Sequence, residues 1–186
     1  MDRPVRKMNR LRDYDYSSGG AYFITICTEK RMPYLCEIIK KRQYPVINVK
    51  QGYTQKPVGA DIIRPEVKLT DIGKIVDYSI NDIKNHYDDI YVDKYCIMPD
   101  HLHMIISIMR DFMSSNGGRI ISAPTVSTVI GSMKRYSSKQ IGFSIWQKSF
   151  HDHIIRNKSE FQEIYQYIEN NPINWANNKF NQNLWR

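Results

Sequence analysis

The sequence contains little cysteine. Its three cysteines, Cys27, Cys36 and Cys96, are odd in number and show none of the CxxC spacing of zinc sites and redox pairs. Such cysteines are typical of reduced thiols, because a disulfide framework needs paired cysteines and an oxidising compartment. We therefore expect these three side chains to serve in packing alone.

Long hydrophobic runs are also missing. No stretch approaches the ~18 consecutive apolar residues of a membrane-spanning helix, and the basic start of the chain is not followed by the apolar segment of a signal peptide. These two absences predict a cytoplasmic protein without a membrane partner.

Acidic residues are in the minority among the charged ones. The 186 residues include 19 Asp and Glu against 27 Lys and Arg, which gives a net charge of +8. A surplus of this sign favours polyanionic partners, and charge alone leaves nucleic acid and an acidic membrane surface both open.

The length suits one domain, since 186 residues can fill one core and are too few for two ordinary domains. Within this single domain, 1–186, the pattern indicates a basic N-terminal arm at 1–20 and a C-terminal tail at 176–186. The proline- and glycine-punctuated segment 36–68 is interpreted as an inserted hairpin or loop.

The remaining chain shows alternating strand and helix patterns. Strands are expected where β-branched and aromatic residues cluster, at 21–28, 91–97, 101–108 and 150–156. Helices are expected from Thr70 to Tyr87, over 125–140, and from Ser159, which forms a capping box with Gln162, to a stop at Pro172. This order predicts an α+β fold, a ferredoxin-like sandwich in which helices pack on one face of an antiparallel sheet.

Two histidines lie two residues apart in one predicted strand. His101 and His103 should point to one face, about 7 Å apart at Cα, with Leu102 on the opposite, core-facing side. Two imidazoles so placed can share a cation, although a strand can also carry two such histidines with no metal. His151 and His153 have the same spacing with a polar residue between them, which favours substrate contact or strand packing.

Tyr167 and Asn171 share a flank of the last predicted helix. The apolar stripe of that helix comprises four residues, Phe161, Ile164, Tyr165 and Ile168. Tyr167 falls roughly 110° from the centre of the stripe, at ~100° per residue, and Asn171 lies one turn later. A phenol can attack a phosphodiester, and an amide oxygen suits Mg²⁺ or Mn²⁺. The alternative is that Tyr167 is an ordinary member of the 13 tyrosines and that Asn171 is a residue favoured at a helix end before Pro172.

Two long stretches, KYCIMPDHLHMIISI and IWQKSFHDHIIRNKSEFQEIYQYIENNPINW, resemble the HUH single-tyrosine transposases of insertion sequences, above all the REP-associated tyrosine transposases. Together with GGAYFITICTEKR, the resemblance extends from about Gly19 to Trp175. It implies a fold of the HUH endonuclease type and association with the nucleoid.

The resemblance also implies a site and a reaction. His101, His103 and Asn171 fall where the family holds a divalent metal, Mg²⁺ or Mn²⁺, and Tyr167 falls where it has its nucleophile. The implied substrate is single-stranded DNA that bears a hairpin, and the implied products are a 5′-phosphotyrosine link and a free 3′-hydroxyl. The family includes monomers and homodimers. Candidate DNA contacts are basic or polar side chains of two predicted elements, Lys134, Arg135, Lys139, His153 and Arg156.

Three functions therefore compete. The leading hypothesis is a strand-transferring transposase, either mobile or domesticated. The second is a non-catalytic DNA-binding regulator on the same fold, whose basic surface and aromatic side chains only bind. The third is a nickase of the replication-initiator or relaxase type, which would differ in its DNA site.

Overall fold

The computed structural model describes residues 19–43, 62–109 and 124–177. Most of the predicted basic arm, the centre of the 36–68 segment and most of the C-terminal tail lie outside these ranges. The described strands are β1 Gly20–Cys27, β2 Cys36–Gln43, β3 Ile62–Leu69, β4 Ile90–Ile97, β5 His101–Ile108 and β6 His151–Ile155. The described α-helices are α1 Asp71–Asn81, α2 Ile83–His86, α3 Val126–Ile141 and α4 Lys158–Asn177.

Four strands form one antiparallel sheet in the order β4-β5-β1-β6. Strands β2 and β3, the two ends of the 36–68 segment, pair with each other as a separate antiparallel sheet. The predicted α+β class with an antiparallel sheet is confirmed. Among the described residues, no helix is long and apolar enough to cross a membrane.

Both faces of the four-stranded sheet carry apolar residues. On one face, Ile24 of β1 and Met104 of β5 join α1 and α3 in the main core. On the other face, Phe23 and Ile105 pack with Ile168 of α4 in a second, smaller cluster. The expectation that helices pack on one face therefore holds for α1 and α3 and fails for α4. The reason is that alternate residues of β1 and β5 are apolar on both sides, so each face needs a cover.

Helix α4 also begins and ends differently from the prediction. Asn157, not Ser159, provides its N-terminal cap, because the Asn157 side-chain oxygen accepts the backbone N–H of Glu160 at 2.9 Å. Pro172 does not stop the helix, which continues to Asn177. Ala176, beyond the proline, is buried, so tertiary packing offsets the hydrogen bond that Pro172 cannot donate.

The predicted cap of α1 is present. The Thr70 hydroxyl accepts the backbone N–H of Gly73 at 3.0 Å and donates to the carbonyl of Tyr34 at 2.5 Å. Gly73 packs so closely on this segment that a Cβ atom there would lie 1.9 Å from the carbonyl oxygen of Leu35. The helix expected to run to Tyr87 is divided at Asp82 into α1 and α2.

The cysteines behave as packing residues. Cys27 and Cys36 are buried, Cys96 is half-buried, and all three are free thiols. Burial raises the pKa of Cys36 to about 12, so its thiol stays protonated and unreactive at neutral pH.

Candidate active site

The two histidines of β5 lie on the face of the sheet that α4 covers. In the register with β1, His101 is opposite Cys27 and His103 is opposite Thr25. Both side chains are nearly buried, at 8% and 6% exposed, and their ring centroids lie 4.7 Å apart. The strand thus brings two imidazoles together beneath a helix.

Each ring has its Nδ1 atom occupied by a neighbour from the same chain. His101 Nδ1 donates to the carboxylate of Asp100 at 2.5 Å, and His103 Nδ1 lies 2.9 Å from the hydroxyl of Thr25. Asp100 in turn lies 3.7 Å from the guanidinium of Arg31. Partners of this kind fix the tautomer and orientation of metal-binding histidines. The nitrogen left available on each ring is Nε2.

His103 is held in its neutral form. Burial, helped by the neighbouring His101 and Arg31, lowers the pKa of His103 to about 3. A neutral imidazole keeps a lone pair on Nε2, which is the form that binds a metal ion. The chemistry of the pair therefore fits a cation better than an anion.

Helix α4 places Tyr167 over this pair. The Tyr167 hydroxyl lies 3.4 Å from Nε2 of His103, and the two ring centroids are 5.3 Å apart. Phe23 supports the tyrosine ring edge-on, at a centroid distance of 6.0 Å. The side chain is still 46% exposed, so a substrate can reach its hydroxyl.

Asn171 lies between two residues of α4 that contact the histidines. Tyr167 packs against His103, and Trp175 packs against His101 with ring centroids 5.8 Å apart. Asn171 is one helical turn from each, so its side chain projects towards the same pair. It is buried, at 8% exposed. An amide oxygen so placed can complete a donor set of two nitrogens and one oxygen.

No group of three or more His, Cys, Asp and Glu side chains in 19–43, 62–109 and 124–177 is arranged to hold a metal ion. A metal at this site would therefore depend on Asn171 as its third protein ligand. Two imidazoles and an amide oxygen are donors that divalent ions accept.

Comparison with known proteins identifies the family. The model of the IS200-like transposases matches residues 62–171, more than half of the chain, and the match includes both histidines, Tyr167 and Asn171. The chain belongs to the IS200-like transposase family. It is therefore a DNA-processing enzyme with a role in transposition and with DNA as its partner.

The proteins similar to this transposase include a curated relative and a solved structure. An uncharacterized protein of Haemophilus influenzae is 26% identical in an alignment 185 positions long, which covers 91% of this chain and 89% of the relative. The solved structure of a REP-associated tyrosine transposase bound to a REP hairpin is 19% identical, with a TM-score of 0.56. The likeness covers 90% of this chain and 74% of that one, and it shows a shared fold.

Three of the predicted DNA contacts of the transposase lie far from the histidines. Lys134, Arg135 and Lys139 belong to α3, which packs on the opposite face of the sheet. Lys134 donates to the backbone carbonyl of Gln147 at 2.6 Å, and burial lowers the pKa of Lys134 below its ordinary value. The structure thus gives Lys134 a structural contact and does not bring these three side chains to the site.

Of the other two predicted contacts, His153 lies on the same side of the sheet as the histidine pair, and Arg156 directly follows the last residue of β6. His153 is opposite Phe23 in the register of β6 with β1, and its Nε2 atom lies 2.7 Å from the carboxylate of Glu160. The backbone N–H of Arg156 donates to the same carboxylate at 2.7 Å. This pairing ties β6 to the first turn of α4. His153 and Arg156 remain predictions as DNA contacts.

Three residues that shape the site were missed by the sequence prediction. Asp100 was not among the predicted site residues, although a carboxylate directly before a candidate histidine ligand is a signal of an orienting partner. Thr25 is the cross-strand neighbour of His103, and this relation appears only once the strand register is known. Trp175 falls beyond Pro172, where the helix was expected to have ended.

Proposed function

We propose that this transposase nicks and rejoins single-stranded DNA through Tyr167, beside a divalent metal held by His101, His103 and Asn171. One observation carries the proposal. Both Nδ1 atoms of the histidine pair are occupied by Asp100 and Thr25, while the Tyr167 hydroxyl lies 3.4 Å from the remaining nitrogen of His103. The phenol proposed as the nucleophile thus lies beside one of two neighbouring imidazoles whose Nε2 atoms would bind the metal.

The reaction is a displacement at phosphorus. The hydroxyl oxygen of Tyr167 forms a bond to the scissile phosphate as its proton passes to solvent, and the bond from phosphorus to the 3′-oxygen breaks. The DNA 5′-phosphate is left on Tyr167, and the leaving oxygen takes up a proton to become a 3′-hydroxyl. Attack by a 3′-hydroxyl on the phosphotyrosine reverses the step and joins strands, so no further energy source is needed.

In the proposed reaction, a metal would supply positive charge and the protein side chains would fix positions. A bound Mg²⁺ or Mn²⁺ would supply charge that polarises the phosphate oxygens. Asp100 and Thr25 hold the two imidazoles in fixed orientations, and Phe23 supports the ring of Tyr167 at the site. Such pre-set positions reduce the reorganisation that the reaction requires.

The substrate that fits best is a single strand with a hairpin. Support comes from the similar REP-associated transposase, which is bound to a REP hairpin, and from the net charge of +8. The histidines and Tyr167 belong to one chain, so a monomer contains every residue of the proposed site.

The test is incubation of the protein with a labelled library of single-stranded hairpins and Mn²⁺ or Mg²⁺, followed by denaturing electrophoresis. The expected product is a covalent protein–DNA adduct that disappears with Tyr167→Phe, with His101→Ala and with chelator. Tyr165→Phe is the matched control, since this tyrosine of the same helix contacts Lys94 instead of the histidines. Specific binding without any adduct would favour a DNA-binding regulator.

A further inference from the structure

A cavity of about 510 Å³ lies beside the candidate active site. Its walls come from β2, from Pro33 and Pro99, and from Trp175 and Ala176 at the end of α4. This volume falls within the range of roughly 300–1,000 Å³ that is usual for small-molecule sites. The cavity is large enough for one flat organic group with room for solvent.

Trp175 connects this cavity to the histidine pair. The indole lines the cavity, and its ring centroid lies 5.8 Å from that of His101. Pro99, on another wall, directly precedes Asp100, the residue that orients His101. The cavity therefore adjoins the histidine pair, beside which the scissile phosphate would bind.

The geometry points to a binding site for one unpaired nucleobase of the DNA strand, stacked on Trp175. Aromatic side chains beside phosphate sites are the usual platforms for single-stranded bases. Ile38 gives the wall an apolar part, whereas the side chains of Glu37 and Lys40 on β2 are polar and exposed. This mixture matches a base, which has apolar faces and hydrogen-bonding edges. A paired base would need to leave its partner to enter.

The position of Trp175 also indicates which nucleotide enters. This step rests on the proposed function, with Tyr167 as the nucleophile. In an in-line displacement, the leaving 3′-oxygen lies on the side of phosphorus opposite to the attacking oxygen. Tyr167 contacts His103 and Trp175 contacts His101, eight residues or about 12 Å further along α4. The part of the strand on the 5′ side of the scissile phosphate therefore runs towards Trp175. The base that reaches the indole belongs to one of the first two nucleotides on that side.

A base stacked on Trp175 would keep the cleaved end of the strand at the site. The nucleotide on the 5′ side carries the 3′-hydroxyl that cleavage releases. Stacking on Trp175 keeps this hydroxyl next to the phosphotyrosine, so the two ends remain together for rejoining. The same contact makes the site sensitive to the base that precedes the nick.

The experiment uses Tyr167→Phe protein, which cannot be consumed, and the hairpin oligonucleotide that the wild type cleaves. A single abasic residue is placed at each of three positions on either side of the scissile phosphate, and Kd is measured by fluorescence anisotropy. We expect a loss of affinity on the order of 10-fold at one of the first two 5′ positions.

Trp175 variants assign that loss to the cavity. In Trp175→Ala, intact DNA should bind about as weakly as the abasic DNA, and the abasic residue should cause no further loss. Trp175→Phe should restore most of the penalty, because a ring can still stack. Tyr78→Ala is the control: it removes an exposed aromatic side chain from α1, on the other face of the sheet.

Two results would overturn the inference. One is an abasic penalty that stays undiminished in Trp175→Ala, and the other is the absence of a penalty at both 5′ positions. If the wild type still forms its Tyr167 adduct in either case, the proposed function stands. If no oligonucleotide gives an adduct, the same scan is made in the hairpin with the highest affinity. A penalty that depends on Trp175 then supports the base site without the proposed function. The absence of such a penalty overturns the base site and the proposed function together.

Discussion

The chemistry of the site depends on contacts between neighbouring residues. The spacing of His101 and His103 was sufficient to predict that they share one side of a strand, because side chains alternate along any strand. Their orientation was not predictable, since it depends on Thr25, 78 residues away from His103 in the chain. Sequence patterns locate candidate ligands, and the strand register decides how each ring is turned.

Substitution of Asp100 tests whether its carboxylate orients His101 for metal binding. Asp100→Asn removes the carboxylate that receives the Nδ1–H of His101, so the ring is less firmly oriented and less basic at Nε2. We expect Mn²⁺ affinity to fall by roughly 10- to 100-fold, as measured by isothermal titration calorimetry. Asp93→Asn is the control, because in the described part of the chain that carboxylate accepts a hydrogen bond from the hydroxyl of Ser107 and has no contact with the histidine pair. Equal Mn²⁺ affinity in Asp100→Asn and the wild type would contradict the orienting role.

Among the elements, α4 differs most from its prediction. Its apolar stripe and the off-stripe position of Tyr167 follow from helical periodicity, and these features were predictable. Its place on the second face of the sheet was not, because the choice between two apolar faces depends on how the chain connects. The continuation through Pro172 was also unpredictable, since packing of Trp175 and Ala176 overrides a local stop signal.

The N-terminus of α4 can be tested by two alanine substitutions. Asn157→Ala removes the oxygen that caps the N–H of Glu160, which should lower the free energy of unfolding by about 1 kcal/mol. Ser159→Ala changes a residue inside the first turn and should have little effect. Urea denaturation measures both, and a larger loss from Ser159→Ala would mean that the helix begins later than the structure shows.

Two glycines inside helices, Gly73 in α1 and Gly131 in α3, offer a second matched pair of substitutions. A Cβ atom at Gly73 would lie 1.9 Å from the carbonyl oxygen of Leu35, so Gly73→Ala must displace either α1 or the segment before β2. We expect a loss of stability of about 1–3 kcal/mol, as for other overpacked sites. Gly131→Ala in α3 meets no atom within 4 Å and should stabilise the protein by roughly 0.5–1 kcal/mol. Thermal melts would contradict this account if both substitutions changed Tm in the same direction.

For the whole molecule, the important relation is between the two faces of the sheet. One face holds the main core under α1 and α3, and the other holds the site under α4. The basic residues predicted on α3 lie across the sheet from Tyr167, a separation that the sequence did not indicate because it depends on which helix covers which face. Among the described elements, β1, β5, β6 and α4 carry the residues that lie on the same side of the sheet as Tyr167.

A mixing experiment tests whether one chain contains the whole site. The Tyr167 hydroxyl lies 3.4 Å from His103 of the same chain. A mixture of His101→Ala and Tyr167→Phe proteins should therefore form no adduct, because neither chain has a complete site. Recovery of about a quarter or more of the wild-type adduct in the mixture would show that the tyrosine helix is exchanged between subunits.

The central claim is that Tyr167 becomes covalently linked to DNA. The most direct measurement is proteolysis of the adduct formed with a hairpin oligonucleotide and Mn²⁺, followed by mass spectrometry of the nucleotide-bearing peptide. The account predicts a 5′-phosphodiester on Tyr167, with no modification of Tyr165 in the same peptide. A phosphotyrosine at any other position, or a cleaved strand with no protein-bound nucleotide, would contradict it.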